Sequence, residues 1–116
     1  MVTDFAKEMI KNADSCGAQD IYVIPRQDNY ELYMRVGQER RLIDVYRPDF
    51  MASLIGHFKL VAGMMVGEER RSQRGSCDYG CGDGQRGSLR LSNGGDYRGL
   101  ERLVISVLHF GSRELV

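Results

Sequence analysis

The sequence lacks several features that would place it in a class at once. No stretch approaches the roughly 18 consecutive apolar residues that a transmembrane helix needs, and the first residues have no apolar segment typical of a signal peptide. Only three lysines are present, Lys7, Lys11 and Lys59, and none belongs to a G-x4-G-K-[ST] phosphate loop. We therefore expect no membrane insertion and no nucleotide cradle built by this chain.

Cysteine is also sparse, with three residues in 116. An odd number favours a reducing compartment over a disulfide framework. Cys77 and Cys81 form a C-x3-C pair without a second pair or a well-placed histidine, so we expect no metal site.

Net charge is absent as well, because sixteen basic and sixteen acidic residues cancel. No overall field attracts the chain to nucleic acid, so we expect no direct nucleic-acid partner. Thirteen of the basic residues are arginines, whose planar guanidinium suits carboxylate and phosphate groups. Solvated surface arginines would explain the same composition.

The strongest pattern that is present is a helix beginning at Pro48 or Asp49 and ending near Gly63 and Gly67. Apolar residues recur there at three- and four-residue steps, which predicts one buried face. Its members are Met51, Leu54, Ile55, Phe58, Val61, Ala62 and Met65. Ser53, Gly56, His57 and Lys59 are predicted to lie off this apolar stripe.

The remaining segments predict one domain with the order α-β-β-β-α-β-β-β. Thr3 is predicted to cap the first helix and Gly17 to end it in a left-handed conformation. Strands are predicted at 20–25, 30–36, 41–46, 77–79, 88–92 and 103–108, the last central in its sheet, with a turn at 93–96. This order favours an α+β fold, an antiparallel sheet of about six strands with two helices on one side.

Catalytic motifs are not assembled by these residues. Gly82–Gly87 matches G-x-G-x-x-G, but predicted strands flank it on both sides and no helix follows, so a hairpin connection is expected instead of a dinucleotide site. His57 and His109 have no neighbours that mark a nucleophile–base pair. We predict that this chain is not itself an enzyme.

Several segments, in order, resemble the N-terminal domain of the secretion and pilus traffic ATPases. Cys16–Pro25 is similar to the family's G-A-S-D-I-H-I-E-P run, and Lys59–Met64 to its K-x-x-A-G-[LM] helix end. Glu69–Gly75 resembles the R-x-P-Q-D-G turn. Leu89–Ser92 resembles the R-V-S strand, and Glu101–Ile105 the G-E-x-V-V-x-R strand after it. The S-Q-R-G-S version of the turn is most similar to the Gram-positive competence branch.

The resemblance implies a PAS-like domain over residues 1–110, with residues 111–116 starting the linker to a RecA-like ATPase domain. That domain would carry ATP and Mg, whereas this chain would bind no cofactor. The implied parent is a hexameric, cytoplasmic motor at the inner face of the membrane, which powers pseudopilus assembly for DNA uptake or type II secretion. Its partners would be its own ATPase domain, neighbouring subunits and a membrane platform protein.

The resemblance also marks site residues. Arg90 matches a family arginine that contacts the nucleotide of a neighbouring subunit, and Arg70 and Arg74 are weaker interface candidates. Ser76 stands where many members carry a second such arginine, and Ser72 replaces a family proline. Without the resemblance, Arg90 would be an outward strand residue in a surface ion pair.

Two other functions remain open. A free-standing PAS-like sensor or protein-interaction domain would need an apolar pocket between sheet and helix if it bound a small molecule. A nucleic-acid-binding module is less consistent with the zero net charge.

Overall fold

The computed structural model describes residues 1–67, 71–81, 84, 86–96 and 98–111, with side chains described up to Leu108 in the last strand. Two helices and six strands follow the predicted order. They are α1 (Val2–Ser15), β1 (Asp20–Pro25), β2 (Tyr30–Val36), β3 (Glu39–Tyr46), α2 (Pro48–Val61), β4 (Gln73–Gly80), β5 (Arg86–Gly95) and β6 (Glu101–Gly111).

All six strands form one antiparallel sheet in the order β3-β2-β1-β6-β5-β4. Each half of the sheet is a run of sequential neighbours, and the β1–β6 pair joins the two halves. This confirms the α+β prediction and the central place of β6.

Both helices pack against one face of the sheet and share a single core with it. Alternate residues of the strands face the helices, as the period of two in an extended chain requires. Fully buried members include Ile10 of α1, Ile21 and Val23 of β1, Leu54 and Phe58 of α2, Leu89 and Leu91 of β5, and Leu103 and Ile105 of β6. None of the helices in the described part of the chain is long and apolar enough to cross a membrane.

The ends of the two helices agree with some of the predicted capping residues and not with others. Gly17 has a positive φ of 76° and follows α1, as predicted, and Pro48 is the first residue of α2. The predicted cap at Thr3 is wrong, because α1 begins at Val2 with Met1 at the N-cap and without a side-chain capping bond. Thr3 is therefore already inside the first turn.

The predicted place of Lys59 is also wrong. Its side chain is fully buried, and its Nζ lies 2.6 Å from Oε1 of Glu101 at the start of β6. Val61 and Met65, predicted to be buried, are 42% and 58% exposed. The helix ends at Val61, so the helical period does not extend to Met65.

The last three strands are longer than predicted. The turn expected at 93–96 is wrong, because β5 continues to Gly95 and Asn93 pairs with both Gln73 of β4 and Leu103 of β6. Likewise β4 begins at Gln73, so Arg74 and Gly75 lie in a strand and not in the expected turn. β4 and β5 are antiparallel neighbours, so they form a hairpin, as predicted. Arg86 and Gly87 of the G-x-G-x-x-G segment already lie in β5, and residues 82, 83 and 85 lie outside the described residues.

Candidate functional site

Polar side chains form a row straight across the helix-free face of the sheet. The pairing of neighbouring strands places one residue of each strand in this row. From β4 to β3 its members are Ser76, Arg90, Ser106, Asp20, Arg35 and Arg40. We call these six residues the polar row.

Arg90 is the exposed cation in the β5 position of the polar row. Leu89 and Leu91 on either side of it are fully buried, so the alternation of the strand turns Arg90 away from the core, as predicted. Ser76 and Ser106 are directly opposite on the two neighbouring strands. Among the described residues, none accepts a hydrogen bond or an ion pair from its guanidinium. The surface ion pair that would explain Arg90 structurally is therefore not found in the described part of the chain.

Arg74 lies on the same face as Arg90. Gly75 beside it faces the helices, because a Cβ on Gly75 would meet Cγ of Met64 at 2.8 Å. Arg74 is therefore directed outward, opposite Ser92, and is a diagonal neighbour of Arg90, with about 7–8 Å between diagonal positions. The fold thus brings two of the three predicted arginines together, while Arg70 lies outside the described residues.

A shallow groove of about 460 Å³ runs beside Arg90 on this outer face. Its polar lining includes Ser76, Asp78 and Ser88, and Leu108 closes one side. Ser88 Oγ donates a long hydrogen bond of 3.4 Å to Oδ1 of Asp78. The groove therefore offers one guanidinium and hydroxyl groups to an anion, with a carboxylate at one end.

Asp20 occupies the middle of the polar row and is held from both sides. Arg35 Nε donates a hydrogen bond of 2.8 Å to Oδ2, and Ser106 Oγ donates one of 2.8 Å to Oδ1. The Asp20 carboxylate raises the pKa of the Arg35 guanidinium above its usual range through this hydrogen bond. These contacts join β1 to its neighbour β2 and to β6, which is distant in sequence, and no spacing in the sequence indicated them.

At the β3 end of the polar row, Arg40 contacts two aromatic rings. The guanidinium carbon of Arg40 lies 4.1 Å from the centre of the Tyr22 ring and 5.8 Å from that of Tyr33, within cation–π range. The β1–β3 half of the outer face is therefore satisfied internally, whereas Arg74 and Arg90 on the β4–β5 half have no partner among the described residues.

His57 takes part in a structural contact on the other side of the molecule. Its Nε2 lies 2.9 Å from the hydroxyl of Tyr79, and both side chains pack with Phe58. Burial, together with the charge of Lys7, lowers the pKa of His57, and burial raises that of Tyr79 to about 12. Both groups are thus neutral at pH 7. The side chain of His109 is not among those described.

Two of the clefts among the described residues lie between helices and sheet, and both are small. One at Phe5, Met9 and Ile43 and another at Tyr30, Ile55 and Leu100 each have a volume of about 90 Å³. Pockets for small organic ligands usually have about 300 Å³ or more. In the residues covered by the structure, no group of three or more His, Cys, Asp or Glu side chains has the arrangement to hold a metal ion.

Comparison with known proteins identifies the chain's relatives. No family model matches it. Competence protein ComGA of Streptococcus pneumoniae is 55% identical to it over 115 residues, which is 99% of this chain. The chain is thus similar to part of a ComGA over almost its whole length. This confirms the resemblance to the Gram-positive competence branch.

A second ComGA, from Bacillus subtilis, is 31% identical over 71 residues, or 61% of this chain. The matches span 36% of the length of the S. pneumoniae protein and 20% of that of the B. subtilis protein. The chain thus corresponds to about a third of the first relative.

Proposed function

We propose that the chain is the PAS-like N-terminal region of a hexameric competence ATPase and does not itself hydrolyse ATP. The observation that carries this proposal is the 55% identity over 99% of the chain to a ComGA of which it covers 36%. A sequence without a phosphate loop agrees with a catalytic part located elsewhere in the parent.

The proposed role of Arg90 is to contact a nucleotide bound by a neighbouring subunit. An arginine supplied by a neighbour stabilises negative charge that develops on the transferred phosphoryl group. Arg90 has the required properties, because it is exposed, stands on a strand that is paired on both sides and has no partner among the described residues. Arg74, its diagonal neighbour, would supply a second cation where Ser76 replaces the family arginine.

The proposed mechanics follow from the single core shared by all elements. A domain of this kind moves as a rigid body, so closure of the outer face on a nucleotide would shift the whole domain against its own ATPase domain. ATP and Mg would be bound by that ATPase domain. The movement would be passed to a membrane platform protein of the pseudopilus machine, with the motor cytoplasmic at the inner face of the membrane.

The test is Arg90→Ala, studied both in this chain and in the full-length ring. Its melting temperature should barely change, since surface substitutions usually alter the free energy of unfolding by less than about 0.5 kcal/mol. ATP turnover of the ring at saturating ATP should fall by a factor on the order of 10³. Arg90→Lys should restore little, because an ammonium cannot make the bidentate contact of a guanidinium.

Arg41→Ala is the matched control, since Arg41 is an exposed arginine on the opposite edge strand β3, where it pairs with Glu39 at 3.2 Å. It should leave turnover unchanged. A large drop in melting temperature for Arg90→Ala with normal turnover would show that Arg90 is a structural residue and would refute its proposed role.

The alternative is a free-standing small-molecule sensor. The two described clefts of about 90 Å³ count against it, because neither has room for an ordinary ligand.

A further inference from the structure

We propose that Arg35 acts as a positioning residue for Arg90. Arg35 forms an ion pair with Asp20 and so prevents Asp20 from pairing with Arg90. The Arg90 guanidinium therefore stays available to a phosphate group from outside the domain. The phosphate part of this inference rests on the proposed function. The part that concerns Asp20, Arg35 and Arg90 rests on the polar row alone.

The register of the sheet sets up the competition. Asp20 and Arg90 lie in the same row, separated only by Ser106 of β6. Two strand spacings amount to about 10 Å, which a long guanidinium side chain and a carboxylate can bridge over a serine. Asp20 is therefore the carboxylate in the polar row that Arg90 would meet if Asp20 lost its present partner.

Arg35 is better fixed for this contact than Arg90. Besides Asp20, its guanidinium donates to Oε1 of Gln19 at 2.9 Å and to the carbonyl of Gly37 at 2.7 Å. These acceptors hold the Arg35 guanidinium beside the Asp20 carboxylate. Arg90 has no comparable set of acceptors among the described residues, so it loses the competition for Asp20.

Removing Arg35 would reverse the outcome. The Asp20 side chain is only 15% exposed, so a carboxylate that keeps the Ser106 hydrogen bond but has lost its cation is costly there and attracts the nearest available cation. Arg40 is already engaged over the Tyr22 ring. Arg90, flexible and exposed, would then fold across Ser106 onto Asp20 and away from the groove.

The structural test uses this chain with arginine side chains labelled with ¹⁵N. Arg35→Gln should shift and sharpen the Arg90 Nε–H signal as an ion pair forms, and adding Asp20→Asn should return it to its original position. Arg41→Gln is the control and should leave the Arg90 signal in place. An Arg90 signal unmoved by Arg35→Gln would overturn the inference, whether or not Arg90 contacts nucleotide.

The functional test uses the full-length ring. Arg35→Gln should lower ATP turnover by about threefold, the size of effect expected from competition by an exposed ion pair, and Asp20→Asn in the same ring should restore it. If Arg35 had only a structural role, the double variant should not regain turnover, because it lacks the hydrogen bonds lost in Arg35→Gln and also the Asp20 carboxylate. If the double variant turns over ATP as slowly as Arg35→Gln, the inference about Arg35 is wrong. If Arg90→Ala itself leaves turnover normal, the proposed role of Arg90 is wrong. In that case the NMR result still shows whether Arg35 and Arg90 compete for Asp20.

Discussion

Lys59 is a charged residue whose position is determined by its partner and not by the helical pattern around it. Its aliphatic stem lies in the core, and its ammonium reaches Glu101 on the central strand β6. Glu101 keeps 17% of its side chain exposed, and its carbonyl accepts a hydrogen bond of 2.7 Å from Tyr30. The pair therefore connects the end of α2 to the middle of the sheet.

Breaking this pair should be about as destabilising as removing a large core side chain. Lys59→Ala leaves Glu101 without its cation and should lower the free energy of unfolding by about 3 kcal/mol, the lower end for buried pairs. Phe58→Ala should cost about 3–5 kcal/mol through the cavity that it creates. Urea denaturation followed by circular dichroism measures both variants.

Lys7→Ala is the matched control for that experiment, because Lys7 is exposed on α1 and its loss should change stability by less than about 0.5 kcal/mol. If Lys59→Ala were as mild as Lys7→Ala, the ion pair would contribute nothing.

His57 should make stability depend on pH. Burial lowers its pKa in the folded state below the ordinary 6.5, so the unfolded chain binds a proton more readily than the folded one. Stability from this group is therefore present above pH 6.5 and declines as the pH falls below it. His57→Gln should flatten the dependence between pH 7.5 and 5.5, measured by urea titration at several pH values.

The second histidine supplies the control for the pH experiment. His109→Gln retains His57 and should keep its part of the pH dependence. An unchanged slope in His57→Gln would mean that other groups, such as carboxylates, govern acid destabilisation.

At the level of elements, the connection from α2 to β4 is packed closely enough to be sensitive to one methyl group. Gly75 of β4 lies against this connection, where an added Cβ would approach Met64 Sδ at 2.9 Å and the carbonyl oxygen of Ala62 at 3.2 Å. The side-chain amide of Gln73 also holds the backbone of Met65 with two hydrogen bonds, of 2.8 and 3.0 Å. The entry of β4 is thus fixed to the end of α2.

Two glycine substitutions should therefore have opposite signs. Gly75→Ala should destabilise the domain by about 1–3 kcal/mol through overpacking. Gly56→Ala, inside α2 with nothing within 4 Å of the new Cβ, should stabilise it by about 0.5–1 kcal/mol, since alanine is the better helix former. Thermal melts of the two variants side by side would contradict this packing if both shifted in the same direction.

The same elements show how far the sequence predicts the fold. Predictions that depend on one turn or one strand were confirmed. Gly17 marks the end of α1, Pro48 is the first residue of α2, and the alternation around Arg90 predicted its outward direction. Predictions were wrong where a residue distant in sequence determines the local conformation or burial. Asn93-Gly94-Gly95 has the composition of a turn, yet pairing of all three residues with β6, and of Asn93 also with β4, holds them in a strand.

For the candidate site, single residues could be predicted from the sequence, but their spatial arrangement could not. The resemblance marked Arg74 and Arg90 individually, but their common face depends on β4 being a strand from Gln73 onward. The contacts of Asp20 with Arg35 and Ser106 need the register between β1, β2 and β6, which no local pattern contains.

At the scale of the whole molecule, one core joins every element, so we expect the chain to unfold in a single cooperative transition. Tyrosine fluorescence and far-ultraviolet circular dichroism should give coincident urea curves; the sequence contains no tryptophan to complicate the fluorescence. Separate midpoints would indicate that the two halves of the sheet are independent units.

The β1–β6 pair also has a consequence for how the protein is made on the ribosome. β1 to β3 can form as a meander of sequential neighbours soon after synthesis, but β1 must wait for β6, which is translated after the other five described strands. At ordinary elongation rates this delay is several seconds, during which the inner edge of β1 has no partner strand. Such an edge can pair with other chains, so this part of the nascent protein is most exposed to aggregation before β6 leaves the ribosome tunnel.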